Sequence, residues 1–391
     1  MLQFFTGAPV FDGECIREDI GVAVDDGVVL ALRSADEIPE GAHVVRLDPS
    51  AVLAPGFLDL QINGAGGVLF NAEPTADTAI HIAKSVRCHG VTRILPTLIT
   101  DCKETLASAC QTIGEAAEDE MSGVLGIHVE GPFISVERKG IHKPSYIRVP
   151  EEEDLVRLAE LSLALRQNGA RLLLTIAPEN VPDDAIARFA QSGVVVSAGH
   201  TAASYERIHE AIANGVTGFT HLGNAMPAIQ NREPGPVAAA LASRDTWCGL
   251  IVDGHHIHPG LMKVMLAAKP EGKVFLVTDA MPPVGTDMQS FELYGQTIHR
   301  SGGRLVSSQG VLAGADIDMA NAVRNCTTLL DLPLSEALRM ASLYPAGHLG
   351  LDNRFGRIAP GYTADFALIT KDVEPLETFV AGRSVWKRSE V

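Results

Sequence analysis

The sequence predicts an α/β fold, a (β/α)8 barrel of the TIM type carrying a small β-sandwich formed by the two chain termini. Three observations point to it. The long middle of the 391-residue chain alternates apolar, β-rich runs with helical stretches, which is the rhythm of a parallel sheet with crossover helices. Eight such runs fit within a span close to the roughly 250 residues that a barrel of this kind occupies. Both ends of the chain instead carry short apolar runs broken by turn residues, too few at either end for an independent sheet, so the termini are expected to pair.

Composition agrees with that architecture. Hydrophobic residues make up 46% of the chain and aromatics only 5%, so the core must be built mainly from Val, Leu, Ile and Ala, as in a buried parallel sheet. A net charge of −17, from 31 Lys and Arg against 48 Asp and Glu, argues against nucleic acid or an anionic membrane as partner. A small anionic ligand stays open, because charges farther than about 8 Å are largely screened. The six cysteines show no C-x-x-C pair, so free thiols are expected. The N-terminus shows no basic region followed by a long apolar run, and no stretch approaches the roughly 18 apolar residues of a membrane span. A soluble, cytoplasmic protein is the expectation.

Taken in order, residues 1–52 form the N-terminal part of the β-domain, with strands expected at Ile20 to Val24, Gly27 to Leu32 and Val44 to Leu47. Residues 53–350 form the barrel. Its strands are expected at Leu53 to Ile62, Thr92 to Ile99, Val124 to Val129, Arg171 to Ala177, Val194 to Ala198, Gly218 to Leu222, Trp247 to Val252 and Lys273 to Thr278. Helices fall between them, at Thr75 to His89, Asp101 to Ala117, Glu151 to Asn168, Asp183 to Ser192, Tyr205 to Asn214, Gly235 to Ala242 and Pro259 to Ala268. Glycines at 295, 302, 303 and 310 between short apolar runs suggest a β-hairpin excursion over Met281 to Leu312. Two last helices, Asp316 to Leu330 and Ser335 to Tyr344, follow it. Residues 351–391 complete the β-domain, with strands expected at Gly356 to Ile358, Ala364 to Ile369 and Thr378 to Val385.

In such a barrel chemistry sits at the C-terminal ends of the strands. Those ends are polar here: Gln61 and Asn63, Glu130, His200, His221 and Asn224, Asp253 with His255 and His256, and Asp279. A lone histidine at a strand end is more often a structural hydrogen-bonding residue than a ligand. Glu130, His200 and His221, aimed at one barrel mouth, are harder to dismiss. One carboxylate with two neutral imidazoles suits a divalent ion such as Zn²⁺ and leaves a position open for water, the mark of a catalytic site. Asp279 fits the proton carrier that hydrolysis needs, since the following Ala280-Met281-Pro282-Pro283 is a poor helix start and a capping role is weak. His255 and His256 are neighbours on a strand and face opposite ways, so a single substrate-facing histidine is preferred over a second metal cluster. Arg232 is one of few cations near the expected mouth, and its guanidinium suits a phosphate or carboxylate. Between Glu130 and His142 runs a loop that opens with the turn pair Gly131-Pro132 and brings His142 back as a candidate substrate contact.

These motifs resemble the amidohydrolase superfamily, and within it the deacetylases that act on N-acetylglucosamine 6-phosphate. The matching pieces are P-G-F-L-D-L-Q-I-N-G (55–64), H-V-E-G-P-F (128–133), K-G-I-H (139–142), S-A-G-H-T (197–201), T-H-L-G-N-A-M (220–226), R-E-P-G (232–235), D-G-H-H (253–256), L-V-T-D-A (276–280) and G-R-I-A-P-G-Y-T-A-D (356–365). They run in order over nearly the whole chain. The resemblance implies metal-dependent hydrolysis of the N-acetyl group to glucosamine 6-phosphate and acetate. It implies metal ligands Glu130, His200 and His221, Asp279 as general base then general acid, and His142 polarising the acetyl carbonyl. Asn224, the backbone at Ala225, Arg232 and His256 would bind the sugar phosphate, with phosphate contacts crossing between the subunits of a homodimer. One divalent ion is expected, zinc first, with iron, cobalt or manganese as alternatives. The wider superfamily carries His-x-His where this chain has Gln61-x-Asn63, which argues against a second metal. Many members carry an aromatic residue in place of Gly223. The competing readings are a deacetylase for the galacto epimer, a ring-opening hydrolase of the same superfamily, and a non-catalytic scaffold.

Overall fold

The computed structural model describes residues 1–389; Glu390 and Val391, the last two of the expected C-terminal segment, lie outside the described residues. Eight parallel strands wind in sequence order into a nearly closed barrel. They are β1 (Phe57–Ile62), β2 (Val91–Ile99), β3 (Gly126–Glu130), β4 (Arg171–Ile176), β5 (Val195–Ala198), β6 (Val216–Phe219), β7 (Trp247–Leu250) and β8 (Val274–Leu276). Every one overlaps an expected apolar run, β6 starting two residues before the expected Gly218 to Leu222. Strands β1, β2 and β3 are buried along their whole length, including polar residues such as Asp59, Gln61, His128 and Glu130.

Helices fill the connections: α1 (Ala76–Ser85), α2 (Lys103–Glu118), α3 (Glu152–Gln167), α4 (Asp183–Gln191), α5 (Tyr205–Ala213), α6 (Gly235–Ala242) and α7 (Pro259–Ala268), with α8 (Met319–Thr328), α9 (Leu334–Ala341) and α10 (Leu343–His348) closing the ring. Their starts are capped locally. Thr75, Ser204 and Asp318 accept backbone N–H groups of α1, α5 and α8, each satisfying a donor that the first turn leaves free. Leu106, Ile113, Leu158, Leu165, Ile186 and Ile208 turn the inner faces of α2 to α5 into one core with the outer faces of the strands.

The expected first strand, Leu53 to Ile62, is two strands. Val52–Pro55 pairs antiparallel with Phe366–Ile369, placing Leu53 opposite Leu368, while Phe57–Ile62 belongs to the barrel. Gly56 is the break: a Cβ there would lie 2.3 Å from the Thr92 side chain, and its N–H donates to the Asp365 carbonyl. A six-stranded sheet thus joins the two termini, in the order Arg383–Lys387, Pro375–Val380, Phe366–Ile369, Val52–Pro55, Val10–Phe11, Ile16–Arg17. A second sheet, drawn from the N-terminus alone, includes Gln3–Thr6, which the sequence pattern did not single out. Phe5, Phe366 and Phe379 pack edge to face in the small core that contains side chains of both sheets. Gly356 to Ile358, expected as a strand, is a turn segment, and the expected hairpin over Met281 to Leu312 is a four-stranded antiparallel sheet from Ser290 to Ala315. Leu69, Ile99 and Met281 share an apolar cluster with Phe291, Leu293, Ile298 and Leu305 of that sheet, which seats it over the barrel mouth.

Candidate active site at the barrel mouth

A cavity of about 490 Å³ opens at the C-terminal ends of the strands, lined among others by Glu130, His142, His200, His221, Asn224, Ala225, His256 and Asp279. All but Arg232 of the residues singled out above for metal, substrate or proton transfer therefore line one pocket. Arg232 is exposed, on the stretch leading to α6, and lies outside this lining.

Glu130 ends β3, and its Oε1 lies 3.2 Å from His200 Nε2 and 3.0 Å from His221 Nε2. The two imidazole nitrogens are 3.1 Å apart. Three ligand-type atoms thus converge on one point. His200 donates from Nδ1 to the Arg138 carbonyl at 2.9 Å, which leaves the lone pair on Nε2 facing Glu130. The donor set, two imidazoles and one carboxylate, fits a divalent cation of the zinc type, and two imidazole nitrogens turned on one carboxylate oxygen are placed as ligands rather than as partners of one another. His142 belongs to the rim of the same cluster: a ligand atom of it lies within 4.8 Å of those of Glu130 and His200, and its ring centroid is 4.4 Å from that of His200. Burial works against the Glu130 carboxylate, but the two histidines outweigh it and hold its pKa well below the usual range.

Asp279 follows β8. Burial, reinforced by the Glu130 charge, pushes its pKa up to about 6. Its Oδ1 accepts from Asn63 Nδ2 at 2.6 Å and Gln61 Nε2 at 3.3 Å, and Gln61 Nε2 also donates to Glu130 Oε1 at 3.0 Å. Gln61, read from the sequence with Asn63 as a polar strand end and as a departure from His-x-His, therefore braces both carboxylates, and Asn63 braces Asp279. They share a face of β1 because strand side chains alternate with period two.

His142 is held by Thr100, whose hydroxyl lies 2.8 Å from Nδ1. The Thr100 N–H, which can only donate, also points at Nδ1, at 3.4 Å, so the ring proton belongs on Nε2. Burial holds the His142 pKa well below its ordinary value, so the ring is a neutral donor. His256 donates from Nδ1 to Asp253 at 2.6 Å, and Asp253 is itself fixed by the N–H groups of His255 and His256. Of the other histidines in that stretch, His258 caps α7 and His255 is exposed. Residues that sequence reasoning passed over are Thr100 and Arg138, which lines the pocket while the buried Nε of its guanidinium has no partner among the described residues. The only signal for Arg138 was its place in the E-R-K-G run between Glu130 and His142.

Four non-glycine lining residues, His200, His221, Ala225 and Asp279, have positive φ values of 48°, 28°, 51° and 52°. Non-glycine residues rarely adopt this conformation, and each such residue costs on the order of 1–3 kcal/mol, which the surrounding bonds must offset. His200, His221 and Asp279 each stand two or three residues past the end of a strand, at the pocket.

The barrel, the Glu/His/His cluster at its mouth and the carboxylate beside it define a hydrolase-type site of the amidohydrolase class, and residues 52–385 match the model of the amidohydrolase family. The chain belongs to that family. It is 38% identical over 387 residues to an N-acetylgalactosamine-6-phosphate deacetylase of Shewanella sp. (strain ANA-3), covering 98% of this chain and 96% of that one. It is 35% identical over 380 residues to an N-acetylglucosamine-6-phosphate deacetylase of Haemophilus influenzae, covering 96% of each. Among solved structures, the N-acetylglucosamine-6-phosphate deacetylase of Pasteurella multocida superimposes with a TM-score of 0.93 at 34% identity, covering 98% of this chain and 99% of that one.

Proposed function

We propose that this chain hydrolyses the N-acetyl group of N-acetyl-D-glucosamine 6-phosphate, giving D-glucosamine 6-phosphate and acetate, in amino-sugar catabolism or recycling. The observation that carries the reading is the convergence of Glu130, His200 and His221 within 3.2 Å of one another beside Asp279 and His142, in one pocket. A homologous enzyme from Mycobacterium smegmatis, solved in complex with N-acetyl-D-glucosamine-6-phosphate, aligns over 98% of this chain with a TM-score of 0.87 at 30% identity.

Glu130, His200 and His221 would hold one divalent cation, zinc by preference, which when bound acidifies water and polarises the carbonyl. Asp279 takes the proton of the attacking water, because its carboxylate is largely ionised at neutral pH and still basic enough to accept. His142 donates from Nε2 to the acetyl oxygen as negative charge develops there. Asp279 then returns its proton to the departing amine. Asn224 and Ala225 hold the sugar, and His256, steadied by Asp253, binds the phosphate end; Arg138 lines the same pocket. Arg232, exposed and outside the pocket lining, would bind the phosphate across the interface of a homodimer. Six free thiols fit a reducing, cytoplasmic setting.

The relative at 38% identity favours a second reading, the galacto epimer as preferred substrate. Acetate release from both epimers, with and without the 6-phosphate, tests the proposal. A kcat/KM highest for the phosphorylated gluco sugar supports it, and no acetate from any of the four refutes it.

A further inference from the structure

The barrel is not closed by a regular ladder. Strands β1 and β8 are the two ends of the eight-stranded sheet, and among the described residues the seam between them carries one bridge, Ile62 with Ala280 at the mouth, where the Asp279 N–H donates to the Gln61 carbonyl at 2.8 Å and the Ala280 carbonyl accepts the N–H groups of Asn63 at 2.9 Å and Gly64 at 3.1 Å. Below that bridge stands Asp59, 1% exposed, on the same face of β1 as Gln61 and Asn63. One oxygen of its carboxylate accepts the N–H of Gln61 at 3.3 Å and that of Thr278 at 3.2 Å, and the other accepts the Thr278 hydroxyl. Thr278 Oγ1 in turn accepts the Ala280 N–H at 3.2 Å. A fully buried carboxylate with N–H and O–H partners is costly to maintain, since burial pushes its pKa up to about 7. A ladder hydrogen bond would close a seam at less cost.

We propose that Asp59 is a positioning residue for the proton carrier: through Thr278 it clamps residues 278–280 across the open seam and holds Asp279 in its left-handed conformation. The clamp surrounds Asp279 on both sides in sequence, and its other end fixes Gln61, whose amide braces Asp279 and Glu130. The proposal rests on the deacetylase reading for its kinetic consequence. Its structural consequence, the immobility of residues 278–280, is independent of that reading.

The test uses Asp59→Asn, which keeps the size of the side chain, and Thr278→Val, which removes the hydroxyl but keeps the shape. Thr278→Ser serves as the conservative control. Amide exchange is followed at Asp279 and Ala280 in metal-free protein, and kcat, KM and metal content are measured well below the melting temperature. The clamp predicts exchange at least about tenfold faster at both amides in Asp59→Asn and Thr278→Val. It also predicts kcat lower by about 10- to 100-fold with KM and metal content little changed, the scale of loss that a small misplacement produces. Thr278→Ser should stay close to wild type. Unchanged exchange at Asp279, or kcat within about twofold of wild type in a variant that only melts earlier, overturns the proposal. If Asp59→Asn does not fold, Thr278→Val alone decides. Failure of the wild type to release acetate would instead sink the function and leave the exchange result standing.

Discussion

Replacing Asp279 by Asn isolates proton transfer from everything else the residue does. The carboxamide oxygen can still accept from Asn63 Nδ2 and Gln61 Nε2, so the bracing at 2.6 and 3.3 Å survives, and the three ligand-type side chains are untouched. What disappears is the basic oxygen. Positioned general bases contribute about 10²- to 10⁴-fold, and kcat should fall by that factor with KM within a few-fold. Stability should move the other way. In the metal-free protein burial and Glu130 raise the pKa from 3.8 to about 6, so the folded state binds a proton more tightly than the unfolded chain. Stability is therefore lost as pH rises between those two values, by up to about 3 kcal/mol at neutral pH. The Asn variant has no such loss, and chelated variant should melt a few degrees above chelated wild type at pH 7. Acetate release, metal content and melting of the chelated protein are the three assays. A variant that retains wild-type turnover while folded and metal-loaded would refute the reasoning.

Arg232→Ala should raise KM by about 10- to 100-fold, the worth of a charged hydrogen bond, with kcat little affected. Mixing Arg232→Ala with Asp279→Asn and re-equilibrating the subunits should recover activity if Arg232 acts across a dimer; recovery will be absent if it acts within its own chain. His128 and His348 are buried with pKa values lowered to about 4 and about 3, chiefly by burial, so both enter the fold neutral. Their contribution is present above pH 6.5 and lost as pH falls toward 4, because the unfolded chain takes up protons that the folded one refuses. The slope of unfolding free energy against pH across that window should be shallower in metal-free His348→Gln by close to one proton; an unchanged slope would exclude the assignment.

The barrel was legible because β/α alternation and apolar periodicity are properties of local sequence, and the expected runs found all eight strands. The boundary at Gly56 was not, because apolar residues stand on both sides of it and only the approach of Thr92 from β2 divides the run from Leu53 to Ile62. Glu130, His200, His221 and Asp279 could be picked out because each directly follows a buried run, which puts it at the mouth of the barrel. The left-handed turns at His200, His221 and Asp279 left no trace that could be read, since none is glycine. Gln61 and Asn63 were visible as polar strand ends, but their partners lie 69 and 216 residues away in the chain. Arg232 was picked out as one of few cations near the expected mouth; it is exposed on the stretch before α6, outside the pocket lining of its own chain.

Metal titration of chelated protein, followed by acetate release from N-acetyl-D-glucosamine 6-phosphate, bears most directly on the site as a whole. Activity should be absent after chelation, rise in proportion to added metal and level off at one equivalent per chain. Glu130→Ala should bind no metal and stay inactive throughout. Acetate release that survives chelation, that levels off only at two equivalents, or that Glu130→Ala supports with full metal occupancy would contradict the single-cation site at Glu130, His200 and His221.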